Sequence, residues 1–159
     1  MTWREVVAHT SLADMPFKIE TNGFGQVVMS PATSWHGLFQ GAIQDLIREF
    51  IVGGSVAQEC PVQTSDGVKV ADVAWVSSEF LKAHLSEDVF LAAPELCIEI
   101  ISPSNTALEI TTKRLLYLSA GATEVWTCDL KGNMRFYAHS GELEASGIAA
   151  DFPKLVSLG

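Results

Sequence analysis

Hydrophobic and polar residues alternate along this chain in two rhythms, and the switch between them marks out its elements. From Trp35 to Ile51, apolar residues fall at 35, 38, 39, 42, 43, 46, 47, 50 and 51. That three-four spacing puts them on one face of a helix, and predicts a helix from about 35 to 52. Ser34 can cap its start, and Gly53-Gly54 stops it. Gly37 and Gly41 share a helical face, which is expected to permit close packing. The segments "SVAQECPVQT" and "VKVADVAWV" carry the shorter, two-residue rhythm around Ser65-Asp66-Gly67, as a hairpin does. "FKIETNGFGQVVMSP" reads as two earlier strands joined at Asn22-Gly23. The run from Glu95 to Ser102 is apolar on both faces and predicts a buried central strand. Ser104 or Asn105 can cap a second helix to about Ser119, with Gly121 beyond it. "TEVWTCDL" and "MRFYAHS" follow as strands, and the tail offers a weak edge strand.

This order predicts an α/β (α+β) fold, with a central mixed β-sheet flanked by two main helices. A chain of 159 residues suits one domain, here 1–159, with 1–16 as an N-terminal extension. No G-x-G-x-x-G follows a strand to open a Rossmann unit, and no P-loop is present.

Composition narrows the classes. No apolar run reaches the ~20 residues that span a bilayer, so no membrane association is expected. Cys60, Cys97 and Cys128 are odd in number and far apart, as buried thiols of a reducing compartment are, and a cytoplasmic location is expected. The net charge of −9 counts against broad electrostatic affinity for nucleic acid. It leaves room for a carboxylate site that loses its negative charge on binding a divalent cation.

Two positions disturb the apolar strands. Asp72 lies in "VKVADVAWV" and Glu99 in "ELCIEIIS". A buried carboxylate requires a partner, a metal ion or a proton, and two brought together repel each other. A divalent cation held by both is the economical solution; strand-end acids facing water are the competing one. Alternation places Cys97, Glu99 and Ile101 on one face and Leu96, Ile98 and Ile100 on the other.

The stretches "VKVADVAWVS" and "APELCIEIISPSNTALEITTKRLLYLSAGATEVWTCDL" resemble the Uma family of putative restriction endonucleases, from about Phe17 to Tyr137. The resemblance implies a restriction-endonuclease-like core of the PD-(D/E)XK nuclease superfamily. It implies Mg²⁺ (or Mn²⁺) held by Asp72, Glu99 and the backbone carbonyl of Ile100, and DNA as substrate. Ala71 replaces the motif's proline, and Ile101 stands where the superfamily lysine usually does. Lys113 matches a lysine displaced to the following helix, which makes Asp72, Glu99 and Lys113 the implied catalytic set. Glu20, His36, Gln40 and Tyr117 match accessory positions; each also reads as an ordinary structural residue. Lys113 read as a catalytic side chain alone is expected to be replaceable by Met without loss of folding. A homodimer is expected, because duplex cleavage presents two related strands to two sites. A catalytically inactive nuclease-fold adaptor is the alternative function.

Overall fold

The computed structural model describes residues 1–13 and 15–159; Asp14, within the expected N-terminal extension, lies outside the described residues. That extension carries two short helices, α1 (Trp3–Ala8) and α2 (Thr10–Ala13). Strands β1 (Phe17–Thr21) and β2 (Val27–Pro31) form a separate antiparallel hairpin around a five-residue loop. The long helix α3 (Ser34–Phe50) follows. Its cap is Thr33, whose hydroxyl accepts from the His36 amide; Ser34, the expected cap, is already helical.

The main sheet has six strands in chain order. They are β3 (Ser55–Thr64), β4 (Gly67–Val76), β5 (Leu96–Ile100), β6 (Glu124–Cys128), β7 (Met134–Ala138) and β8 (Gly141–Leu143). The short helix α4 (Ser78–Ala83) joins β4 to β5, and α5 (Ala107–Ser119) joins β5 to β6. β5 and β6 are parallel and every other neighbouring pair is antiparallel, so the sheet is mixed, as expected. The one parallel connection is made by α5, since a parallel return needs a crossover.

Two apolar layers cover the sheet. Phe39, Ile43 and Ile47 of α3 pack on Val73, Leu96, Ile98, Ile100, Trp126 and Phe136. On the opposite face, Tyr117 and Leu118 of α5 pack on Ala71, Ala74, Cys97 and Val125. The α3 stripe is shorter than its periodicity predicts: Trp35 and Leu38 are exposed, and burial begins at Phe39. Gly37 and Gly41 are not close-packing sites either. A Cβ at either position would meet nothing within 4 Å.

The cap of α5 is Thr106, one residue after Asn105 and two after Ser104, the expected caps. Thr106 and Glu109 form a capping box, each side chain bonding the other's backbone amide. At the start of β6, the buried Glu124 is a structural anchor. It accepts from Trp126 Nε1 and Ser146 Oγ, each at 2.7 Å, and from the Gly147 amide at 2.6 Å, tying the C-terminal tail to the sheet.

A charged cleft where two strands part

The β4–β5 ladder runs from Trp75↔Leu96 through Ala74↔Cys97 to Val73↔Ile98, and then ends. The next residues in register would be Asp72 and Glu99. In place of a backbone pair there, the Asp72 carboxylate accepts from the Ile100 amide, Oδ2 at 2.7 Å. On the other edge of β4, pairing passes from Gln58↔Val73 to Cys60↔Ala71 and skips Asp72 and Glu59. Glu59 has φ 51°, a left-handed conformation uncommon for a residue with a Cβ. Ala71 and Ala74 both pack on the α5 side, although residues three apart in a regular strand face opposite ways. The alternation is therefore interrupted at Asp72. Gln40 of α3 covers the irregularity, its side-chain amide donating to the Asp72 carbonyl at 2.9 Å and to Glu59 Oε1 at 2.6 Å.

This local break turns the Asp72 side chain into a cleft of about 980 Å³ between the β1–β2 hairpin, α3 and α5. Six of the seven side chains singled out from the sequence line it, and the seventh, Tyr117, lies buried behind Glu99. Asp72 is 1 % exposed and Glu99 3 %. His36 Nε2 lies 3.1 Å from Asp72 Oδ1. Tyr117 Oη donates to Glu99 Oε1 at 2.7 Å, and Lys113 Nζ reaches the same oxygen at 3.3 Å. Lys113 also pairs with Glu20 Oε2 at 2.8 Å, and that oxygen accepts from the Val70 amide at 2.7 Å. Lys113 and Tyr117 are four residues apart on α5, one turn and one flank. Glu20, open to a surface reading from sequence, is buried. Lys113 pairs with the buried Glu20 and shares the buried Glu99 with Lys18, so in this setting Lys113→Met is expected to lower stability.

Lys18 went unnoticed in the sequence and occupies the centre. Its ammonium lies 2.9 Å from Asp72 Oδ1 and 3.3 Å from Glu99 Oε2, bridging the two acids. The signal was present: Lys18 and Glu20 are two apart on one strand, so both face the same way. Glu59 was also missed, because strand periodicity offers no reason for its left-handed backbone.

The electrostatics follow from burial. Desolvation raises Glu99 to about 7, outweighing the attraction of Lys113 and Lys18, with Asp72 and Glu20 adding to the rise. Asp72 feels burial too, but Lys18, His36 and the Ile100 amide hold its carboxyl well below the usual carboxylate range. Two like acids in one cavity are thus driven apart in proton affinity. The Asp72 contact also raises His36, against its partial burial. The Lys18 ammonium loses hydration, yet Glu99, Asp72 and Glu20 together raise it well above the ordinary lysine value.

The Asp72 and Glu99 carboxylates offer hard oxygen donors and both contact the Lys18 ammonium, so they stand close enough to share one cation. This donor set fits a divalent metal ion. His36, Glu59 and Asp72 form a second candidate group, with one ligand atom from each lying within 4.8 Å of the others. Among the described residues, the cleft lining includes the lysines 18, 69 and 113 against the acids Glu20, Glu59, Asp66, Asp72, Glu99 and Glu109.

The fold is similar to the crystal structure of a putative nuclease belonging to DUF820 from Anabaena variabilis, with a TM-score of 0.65 and 19 % sequence identity over 87 % of this chain and 86 % of that one. The chain belongs to the Uma2 family, described as "putative restriction endonuclease", whose sequence profile matches residues 12–147. No curated protein matches.

Proposed function

We propose that this protein is a metal-dependent endonuclease that hydrolyses phosphodiester bonds of DNA. The observation that carries the reading is the convergence of Asp72, Glu99, Glu20, Lys18 and Lys113 in one open cleft. Asp72 and Glu99, with the Ile100 carbonyl, would hold Mg²⁺ or Mn²⁺. When bound, such an ion stabilises charge on phosphoryl oxygens and activates water.

The remaining work falls to the chain's own groups. With a divalent cation between the acids, Lys18 would no longer be needed there and its ammonium could meet a phosphate oxygen. Lys113 sits where it can orient a water or offset developing negative charge. Tyr117 fixes the Glu99 carboxylate by its hydrogen bond, and His36 fixes Asp72. Gln40 keeps the strand break open by satisfying the Asp72 carbonyl. Two copies of the site acting on opposite strands would call for a homodimer.

A second reading, an inactive nuclease-fold adaptor, draws on one observation: six acids and three lysines line the cleft. A phosphodiester would enter such a cleft only after a divalent cation has offset the acids. The deciding experiment is a cleavage assay on duplex DNA, single-stranded DNA and RNA with Mg²⁺ or Mn²⁺. Cleavage by wild type that disappears in Glu99→Ala supports the nuclease. No cleavage on any substrate moves the assignment to the adaptor.

A further inference from the structure

The contacts of Asp72 fall into two sets. Towards β1 and α5, its partner Lys18 links it to Glu99, which in turn contacts Lys113 and Tyr117. Towards α3 and β3, it meets His36 and Glu59, neither of which touches Glu99 in any recorded contact. The gap between the two acids is filled by the Lys18 ammonium. On the other side His36 contacts Asp72 directly, and the Gln40 amide bonds Glu59.

We infer that His36, Glu59 and Asp72 form a distinct binding site for a divalent transition metal, built where α3 packs over the interrupted β3–β4 pairing. Three ligand atoms within 4.8 Å of one another come from three separately packed elements. One is an imidazole nitrogen and two are carboxylates. Imidazole favours the later first-row divalent ions, whereas Ca²⁺ and Mg²⁺ prefer oxygen alone. The mixed nitrogen and oxygen set therefore suits Fe²⁺, Co²⁺ or Zn²⁺ and leaves coordination positions open. Two carboxylates converging on one imidazole otherwise repel each other, and a cation among them relieves that. Glu59 is held on this side by the Gln40 amide, which uses only Oε1 and leaves Oε2 free among the described residues.

The inference deepens the nuclease reading, since Asp72 belongs to both groups, but its test requires no cleavage. The full chain is titrated with Co²⁺ and followed by visible absorption. At least one equivalent should bind to wild type. Losing a group that merely orients a ligand weakens metal sites by about 10–100-fold, so His36→Gln and Glu59→Gln should each weaken binding at least tenfold. Glu49→Gln, an exposed acid at the far end of α3, should leave Co²⁺ affinity as in wild type. In wild type, Zn²⁺ should shift the His36 imidazole ¹⁵N resonances, a readout that holds even if a variant fails to fold. No Co²⁺ uptake at millimolar concentration would overturn the site. So would wild-type affinity in both His36→Gln and Glu59→Gln, equal loss in Glu49→Gln, or unshifted His36 resonances at Zn²⁺ saturation.

Discussion

Glu99 and Lys113 show how burial sets the behaviour of single side chains. Glu99 has a folded pKa raised from 4.5 to about 7, so the folded state favours its protonated form. The stabilising contribution is complete below about pH 4.5 and is lost as pH rises through 7. In metal-free protein, Glu99 should withdraw on the order of 3 kcal/mol of stability over that window. Glu99→Gln mimics the protonated acid and should flatten the profile, read from urea unfolding in EDTA at pH 5 and pH 8. An unchanged slope would place the titration elsewhere. Lys113 is held between Glu20 and Glu99, so Lys113→Met should lower stability by about 3 kcal/mol, as loss of one partner from a buried ion pair does. Cleavage by that variant should fall on the order of 100-fold at temperatures where it remains folded, because one electrostatic contact to the reacting group is lost. Cleavage equal to wild type would remove Lys113 from the mechanism.

The β1–β2 hairpin brings Lys18 and Glu20 to the cleft, yet it pairs with no strand of the main sheet. Its docking rests on the β3–β4 turn. The Val68 amide donates to Thr21 Oγ1 at 2.9 Å, and Lys69 Nζ donates to the Thr21 carbonyl at 3.0 Å. Gly67, with φ 81°, lets the two backbones approach; a Cβ there would meet the Thr21 and Asn22 carbonyl oxygens at 2.6 and 2.7 Å. Gly67→Ala should cost about 1–2 kcal/mol from its left-handed backbone alone, with the displaced hairpin adding to this. Thermal unfolding measures the loss. Hydrogen exchange should show the β1–β2 amides less protected while β5 and β6 stay as in wild type.

The whole molecule couples the site to folding. A cation that binds only the folded chain raises its melting temperature by mass action. Millimolar Mg²⁺ should do so for wild type, and Glu99→Gln should lose most of that gain; a full shift in the variant would place Mg²⁺ away from the acid pair. The three cysteines are buried in the two apolar layers or at their margin, and burial pushes the Cys60 and Cys128 thiols up to about 12. A thiolate-selective reagent should therefore label the folded chain slowly and all three cysteines quickly in denaturant. Among the described residues, no helix is long and apolar enough to cross a membrane.

Much of this was legible from residue order. Side-chain period and turn residues suffice to place β3, β4, β5, α3 and α5, because an element's buried face must repeat with its own geometry. Two acids inside apolar strands mark a site because a lone buried carboxylate is too costly to leave unexplained. Residue order could not reveal that Lys18, from a hairpin outside the main sheet, fills the space between those acids. That depends on Gly67 allowing the hairpin to dock. Nor could it reveal the left-handed Glu59 or the uncovered Trp35 and Leu38. A residue's conformation at a broken register, and the reach of a neighbouring sheet, are set by contacts between segments far apart in the chain. Local periodicity carries the elements; the site exists only where their irregular ends meet.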